Sequence, residues 1–205
     1  MQSANISSRV LLLARMAVLI AIVIIMTVFN FGNIPVGPIV ATVYQVPVII
    51  GAVLLGPIAG SVLGGIWGLL CFYLAVTGQT TDIVALGTVA QEPLAYFVIA
   101  FVPRVLTGLF AGYVYKLSNH LLKQKKDVVS FGISGVLGSL TNTVFYLGAL
   151  YFLAKEIIAE KYQLALGAVL PLVGSVALTN GLAEAAVSCI IVIGVCKALR
   201  YFKIA

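Results

Sequence analysis

The sequence predicts an all-α integral membrane protein, a compact bundle of six transmembrane helices with both termini in the cytoplasm. Of its 205 residues, 62% are hydrophobic and 9% are charged, and the mean hydropathy of +1.17 lies far above that of soluble domains. The apolar runs are long and unbroken, whereas membrane β-strands alternate between apolar and polar residues. Glycines also recur every four residues in one run, a spacing typical of helices that pack closely in a bilayer.

Six apolar runs account for the predicted helices, at residues 9–29, 42–56, 57–77, 94–117, 128–152 and 171–199. A transmembrane helix needs about 20 apolar residues, so the second run is short for a span. The first run is too long for a signal peptide and lacks a small-residue cleavage site. Because the six runs fill most of the chain, we expect residues 1–205 to form a single transmembrane domain.

The segment from Pro47 to Leu70 joins the second run to the third. Its Gly56-Pro57 pair is a turn signal and predicts a tight reversal between the two helices. Positions four apart lie one turn apart on a helix, so the glycines share one face. We expect them to form a smooth groove for another helix; they are Gly56, Gly60, Gly64 and Gly68.

Basic residues are distributed unequally between the predicted loops. With the N-terminus in the cytoplasm, the outer loops carry only Lys155 and Lys161. The inner segments carry nine basic residues: Arg9, Arg15, Lys116, Lys123, Lys125, Lys126, Lys197, Arg200 and Lys203. This positive-inside bias places both termini in the cytoplasm. It also accounts for the net charge of +6 without nucleic-acid binding, and residues 123–126 are expected to form a solvated loop near anionic head groups.

The predicted outer segments are more elaborate than the inner turns. Residues 30–47 contain three prolines, residues 77–93 are the most polar stretch, and residues 154–167 carry lysines and glutamates suited to an amphipathic turn or short helix. The inner reversal at residues 56–57 is minimal by comparison. Long outer loops over compact inner turns predict that something is recognised from outside.

Two charged side chains, Arg104 and Glu184, lie deep inside predicted spans, where each costs about 2.5–3.5 kcal/mol on insertion scales and usually marks a functional site. Arg104 lies ten residues from the outer end of the fourth run, and Glu184 lies thirteen residues from that of the sixth. At 1.5 Å per residue, their depths differ by about 4–5 Å. The two are candidates for a structural intramembrane ion pair, the least costly way to bury either charge. The alternative is that Arg104 contacts a ligand.

Amide and phenol side chains occur at a similar depth. Asn142 and Tyr146 are four residues apart, as are Asn180 and Glu184, so each pair lies on one helix face. A cavity open to the outside would reach this outer half of the bundle, and we expect both asparagines to contact a ligand. Aromatic residues nearby are more typical of packing or interfacial anchors, although they are candidates for the cavity wall: Trp67, Tyr73, Tyr96 and Phe97.

The sequence contains no arrangement that would support catalysis or metal binding. It has no GxxxxGK[ST] loop for ATP hydrolysis, no GxSxG or HExxH motif, and no nucleophile paired with a base. His120 has no neighbouring ligand residue, and Cys71, Cys189 and Cys196 lack metal-like spacing. We therefore expect no enzymatic activity, no cofactor and no metal.

Four segments together resemble the S components, which are the substrate-binding subunits of energy-coupling factor (ECF) vitamin transporters. They are NIPVGPIVATVYQVPVIIGA, LLGPIAGSVLGGIWGLL, FVPRVLTGLFAGYVYKL and TNGLAEA, and the resemblance covers most of the chain. It implies a transmembrane substrate-binding domain that captures a water-soluble vitamin from outside. It also implies two kinds of partner, a transmembrane coupling protein and its two cytoplasmic ATPases, which would supply the energy.

The resemblance also assigns expected roles to particular positions. Members of the family dock on the coupling protein through an Ala-x-x-x-Ala pattern in the first helix, which Ala17 and Ala21 match, with Ala14 one turn earlier. The ligand of the family lies in the outer half beneath two outer connections, and release follows rotation of the S component in the membrane. The corresponding predicted site here comprises Thr42, Tyr44, Gln45, Gln79, Thr80, Gln91, Arg104, Asn142, Tyr146 and Asn180.

The VPR and PVIIGA segments most resemble members assigned to pantothenate, a small anion with hydroxyls and an amide. Arg104 would then pair with its carboxylate, and the asparagines and Tyr146 would meet its polar groups. If Arg104 is committed to Glu184, another vitamin such as cobalamin, folate or a pyridoxine-like compound is equally expected. The rival hypotheses are a stand-alone proton-coupled secondary transporter that uses Glu184, a membrane enzyme or assembly factor, and a structural scaffold.

Overall fold

The fold consists almost entirely of helices, and the computed structural model of the chain describes residues 8–36, 39–122 and 127–202. Lys123, Lys125, Lys126 and Lys203 of the predicted inner segments lie outside the described residues. The elements in chain order are α1 (Ser8–Val28), β1 (Asn33–Val36), β2 (Ile39–Thr42), α2 (Gln45–Leu55), α3 (Pro57–Val76), α4 (Ile83–Gln91), α5 (Pro93–Leu121), α6 (Asp127–Tyr162) and α7 (Leu166–Tyr201).

Five of the described helices, α1, α3, α5, α6 and α7, are long and apolar enough to cross a membrane. They match five of the six predicted runs. The run predicted at 42–56 differs, because the chain up to Thr42 pairs as a strand and α2 has only 11 residues. At 1.5 Å per residue α2 is about 16 Å long, roughly half the thickness of the hydrocarbon core. It is apolar and nearly all buried, so it packs inside the bundle.

The predicted reversal between α2 and α3 is present at Gly56. Its φ of 103° and ψ of 169° lie in a region that essentially only glycine occupies. Pro57 follows at the first turn of α3, where a missing N–H costs nothing because that donor has no partner inside the helix. Gly56 therefore serves the turn and does not take part in the groove predicted for the glycine stripe.

The remaining glycines of the stripe do form the predicted groove, and α5 packs into it. A methyl group placed on Gly64 would lie 2.0 Å from the carbonyl oxygen of Arg104, and one on Gly108 of α5 would lie 2.0 Å from that of Gly60. Neither position has room for any larger residue. The backbones of α3 and α5 are thus in direct contact, as expected for small residues at helix interfaces in membranes.

Two further elements cover one end of the bundle. Strands β1 and β2 form an antiparallel hairpin with Asn33 opposite Thr42. The short helix α4 begins at Asp82, whose carboxylate accepts hydrogen bonds from the backbone N–H groups of Val84 and Ala85 at 2.9 and 3.1 Å. This carboxylate cap satisfies donors that a helix leaves free at its N-terminus. The polar outer segment predicted at 77–93 therefore contains a helix.

The third predicted outer segment is the end of α6. Residue Ala154 has a non-helical φ of −140°, so α6 bends there and continues as a short helix to Tyr162. Lys155 and Lys161 on this part pair with adjacent glutamates. The amphipathic short helix expected in this region is confirmed.

We expect Gly64→Ala to destabilise the protein because the new methyl group would force α3 away from the backbone of α5. Overpacking of this kind costs about 1–3 kcal/mol. Gly148→Ala in α6 is a matched control, since nothing lies within 4 Å of a methyl group at that position. Thermal unfolding in detergent should show a lower midpoint for Gly64→Ala and an unchanged or higher one for Gly148→Ala. Equal midpoints for both variants would contradict the close backbone contact.

Candidate ligand-binding cavity

A cavity of about 380 Å³ lies beneath the hairpin and α4, within the range of about 300–1,000 Å³ that is usual for ligand pockets. Seven of the ten predicted site residues line it: Thr42, Tyr44, Thr80, Arg104, Asn142, Tyr146 and Asn180. Trp67 and Tyr96, which were candidates for its wall, also line it. The sequence did not predict the further polar lining residues Thr27, Asn30, Asn33, Thr81, Asp82 and Thr143.

The side chain of Arg104 is fixed by the proline that precedes it. Pro103 has no backbone N–H, so the carbonyl of Ile99 lacks its usual donor four residues later. The Nη1 group of Arg104 donates to that carbonyl at 2.8 Å. The proline–arginine pair thus supplies both a free buried acceptor and the donor that satisfies it, and the guanidinium is held against its own helix.

Two aromatic rings enclose the same guanidinium. Its central carbon lies 4.3 Å from the ring centroid of Tyr146 and 5.1 Å from that of Trp67, both within the range of cation–π attraction. Arg104 is only 8% exposed, and its Nε atom has no hydrogen-bond partner among the described residues. The arginine is therefore rigid, buried and still able to donate to a further group.

The predicted ion pair between Arg104 and Glu184 is not present among the ion pairs of the described residues. Instead, Oε1 of Glu184 accepts hydrogen bonds from the hydroxyl and the backbone N–H of Thr42, at 2.6 and 3.1 Å. Each charge is stabilised by its own neutral partners, so neither requires the other. Glu184 consequently anchors the end of the hairpin to α7, and Arg104 forms no ion pair with an acidic residue in the described part of the chain.

Asp82 connects α4 to the wall of the cavity. While one of its oxygens caps α4, the other accepts a hydrogen bond of 3.4 Å from the hydroxyl of Tyr146. Tyr146 therefore contacts Arg104 through its ring and Asp82 through its hydroxyl. The capping role of Asp82 has a signal in the sequence, because an aspartate directly before an apolar helix is a typical N-cap.

The two asparagines differ in their bonding. Asn142 is 7% exposed, and its Oδ1 atom has no hydrogen-bond partner in the described part of the chain. Asn180 accepts a weak hydrogen bond of 3.3 Å from the hydroxyl of Thr179. A buried, unsatisfied amide costs free energy unless something pairs with it. In the lining of the cavity, the Oδ1 atom of Asn142 and the Nε atom of Arg104 are thus the buried polar atoms that a polar ligand could satisfy.

The three predicted glutamines do not line the cavity. Gln45 is fully buried and donates to the carbonyl of Thr42 at 3.1 Å, which holds the end of the hairpin. Gln79 is exposed, and Gln91 donates to Glu160 at 3.2 Å on the outer surface. The sequence placed all three in outer segments, and such a position does not determine the direction of a side chain, so contact of these residues with a ligand stays a prediction. Tyr73 and Phe97 also lie outside the lining.

A helical bundle with a polar, partly enclosed cavity beneath two covering elements defines a membrane-embedded protein that binds small molecules. Residues 11–196 match the model of a family described as ECF transporter, substrate-specific component. The chain therefore belongs to this family of membrane transport proteins, as the resemblance of its motifs predicted.

Two characterised relatives are similar to the chain. The pantothenic acid transporter PanT of Lactococcus lactis subsp. cremoris (strain MG1363) is 32% identical over 198 residues, which make up 91% of this chain and 92% of the relative. The pantothenate transporter PanT of Leuconostoc mesenteroides subsp. mesenteroides is 34% identical over 121 residues, or 55% of this chain and 54% of the relative.

We expect Thr42→Val and Glu184→Ala to be energetically coupled because the two side chains share a short hydrogen bond. Each single change should lower the free energy of unfolding, and the double change should cost less than their sum by about 0.5–3 kcal/mol. Unfolding of the purified variants measures the coupling. The matched cycle of Arg104→Ala with Glu184→Ala should show a smaller coupling. A larger value in that second cycle would favour the ion pair.

Proposed function

We propose that this chain is the S component of an ECF-type ABC importer and captures pantothenate from outside the cell. The single observation that carries the proposal is Arg104, a rigid buried cation in the cavity with a donor still unused. Its charge is not cancelled by any ion pair of the described residues. A carboxylate would complete its hydrogen bonding through a charge-assisted contact, which is stronger than a neutral one.

The rest of the cavity supports a small polar anion. Pantothenate carries hydroxyls and an amide besides its carboxylate, and Asn142 and Asn180 offer both donors and acceptors. Asp82, which caps α4 and accepts from Tyr146, offers carboxylate oxygens that can also accept hydrogen bonds from hydroxyls of the ligand. A volume of about 380 Å³ lies near the lower limit of ligand pockets of about 300–1,000 Å³, which favours pantothenate over cobalamin or folate. The names of the two relatives agree with this assignment.

The proposed topology has six passes, with both termini in the cytoplasm. In this topology the hairpin and α2 together make one pass across the membrane. Helix α2 alone is too short for a pass, and the hairpin adds to its length because it reaches the depth of Glu184. An even number of passes returns the chain to its starting side, and the bias of basic residues favours the cytoplasm for that side. The cavity then opens outward, beneath the hairpin and α4.

The inner end of the bundle is closed by packed and bonded side chains. Arg200 of α7 hydrogen-bonds Asp127 of α6 and Tyr115 of α5, and its guanidinium lies 5.0 Å from the ring of Phe131. Such a closed end favours release by rotation of the whole protein in the membrane over an inner gate. The energy would come from a transmembrane coupling protein and its two cytoplasmic ATPases.

Docking to the coupling protein is proposed along α1. Ala14, Ala17 and Ala21 are all exposed, and α1 is the least buried of the five candidate spans. Small residues on an exposed helix face allow close approach of a second helix in a bilayer. The competing function is a proton-coupled transporter, which would use the buried carboxylate of Glu184 to carry the proton. The hydrogen bonds from Thr42 to this carboxylate favour a structural role for Glu184 instead.

Pantothenate should bind the detergent-purified chain about 10–100-fold more tightly than the neutral analogue in which an alcohol replaces the carboxylate, as a charge-assisted bond provides. Arg104→Gln should remove this preference and leave binding of the analogue little changed. Titration calorimetry measures both ligands. Lys155→Gln is the control, since Lys155 is exposed and outside the cavity, and Arg104→Lys tests whether charge alone suffices. A carboxylate preference that survives Arg104→Gln would overturn the proposed role of Arg104.

Ala17→Trp should abolish pantothenate uptake in cells that supply the coupling module, because the indole would block close approach of the partner helix. Binding by the purified variant should be unchanged, as Ala17 lies outside the cavity. Leu94→Trp, on an exposed position of α5, is the matched control and should transport normally. Uptake that persists after ATP depletion would instead favour the proton-coupled transporter.

A further inference from the structure

The charged groups that line the ligand cavity do not balance. Among the described lining residues, Arg104 is the one cation, whereas Asp82 and Glu184 are both carboxylates. With both carboxylates ionised, this lining has a formal net charge of −1, from one arginine and two acids. Pantothenate would add a further negative charge, and like charges repel most where little water screens them. Binding of the anion therefore requires a compensating positive charge.

The other titratable groups around the cavity do not supply that charge. The elements that pack closely against α7, which carries Glu184, are α6, α2 and β2. Neither α2 nor β2 has a charged residue, and the charged residues of α6 lie at its start or beyond its bend at Ala154. The remaining titratable side chains of the described lining are ordinarily neutral near neutral pH: Tyr44, Cys71, Tyr96 and Tyr146.

The two carboxylates differ in their surroundings. Asp82 is exposed, and both of its oxygens accept hydrogen bonds, one from the backbone at the start of α4 and the other from Tyr146. Glu184 is only 8% exposed, and both hydrogen bonds from Thr42 reach its Oε1 atom. The described residues donate no hydrogen bond to Oε2 of Glu184, so this atom is available to hold a proton.

A proton on Oε2 of Glu184 would leave the anchor of the hairpin intact. The neutral carboxyl group still presents Oε1 as an acceptor, so the hydroxyl and the backbone N–H of Thr42 keep their partner. Protonation of Asp82 would instead weaken the cap of α4, because a charged carboxylate is the stronger acceptor at a helix N-terminus. Water also screens the exposed Asp82, whereas Glu184 is buried. Glu184 is therefore the carboxylate whose charge can change at the lower cost.

We propose that Glu184 takes up one proton from the outer aqueous phase when pantothenate binds. The proton forms an O–H bond at Oε2, so the anion enters without adding to the net negative charge of the cavity, and Arg104 keeps its charge for the carboxylate of the vitamin. This inference rests on the proposed function and names the group that balances the charge of its substrate. The proton belongs to the binding equilibrium, and the energy for transport is still expected from the partner ATPases.

The pH dependence of binding follows from this balance. The complex holds one more proton than the free protein and vitamin, so acid favours binding and alkali opposes it. Over the range in which the proton is taken up, Kd should rise by up to about tenfold for each unit of increasing pH. The range to examine is about pH 6 to 8, where an ordinary carboxylic acid such as that of pantothenate stays ionised and thiols and phenols stay neutral.

Titration calorimetry of the detergent-purified chain, in pairs of buffers that differ in ionisation enthalpy, counts the protons taken up with pantothenate. The count for the wild type should approach one within this pH range. Glu184→Gln keeps an acceptor oxygen for Thr42 but cannot ionise, so it should take up no proton and bind with a Kd that does not change with pH. Glu156→Gln, at an exposed position outside the cavity, is the matched control and should behave as the wild type.

Two measurements on the wild type keep the test independent of how well the variant folds. The neutral alcohol analogue of pantothenate should bind without proton uptake, because it brings no charge. Replacing sodium and potassium by choline should leave Kd for pantothenate unchanged.

Three outcomes would overturn the proposal: pantothenate binding with no proton uptake throughout this pH range, uptake that persists in a folded Glu184→Gln protein, or a Kd that depends on sodium or potassium in place of pH. The last would assign the compensating charge to a metal cation. Absence of pantothenate binding at every pH would instead refute the proposed function, so the two failures are distinguishable.

Discussion

The direct contact between the backbones of α3 and α5 is the constraint on which the rest of the structure depends. Gly64 admits the carbonyl of Arg104 at a distance that no side chain would permit, and Gly60 and Gly108 repeat the arrangement one turn further along. Because a bilayer provides no hydrophobic drive between helices, such close packing supplies the attraction. The same contact fixes the backbone at Arg104 and therefore the position from which its side chain enters the cavity.

The environment of Arg104 shows how a cation can be buried without being neutralised. Pro103 releases a carbonyl, and the rings of Trp67 and Tyr146 provide attraction, so neutral groups stabilise the guanidinium. An ion pair with Glu184 would have offset the cost of burial more directly, but it would also have cancelled the charge. Keeping the charge uncancelled favours a role in binding an anion, which is why Arg104 is central to the proposed function.

The two carboxylates of the cavity hold its covering elements in place. Glu184 bonds the end of the hairpin, and Asp82 caps α4 and accepts from Tyr146. Since the ring of Tyr146 also contacts Arg104, a ligand at Arg104 would lie beside the residue that ties α4 to the bundle. Occupancy of the cavity and the position of α4 are thus joined by one side chain, which would help to retain a bound ligand.

The sequence alone determined the membrane class, the long spans, the turn at Gly56 and the glycine groove, because hydropathy and helical periodicity are local properties. It also predicted most of the charged and amide groups of the cavity, since such groups inside an apolar run are costly unless they have a function. Only the tertiary structure decided which groups meet. It bonded Glu184 to Thr42 and buried Gln45 in the core, because contacts between residues distant in the chain and the direction of a side chain at the start of a helix depend on how whole helices pack.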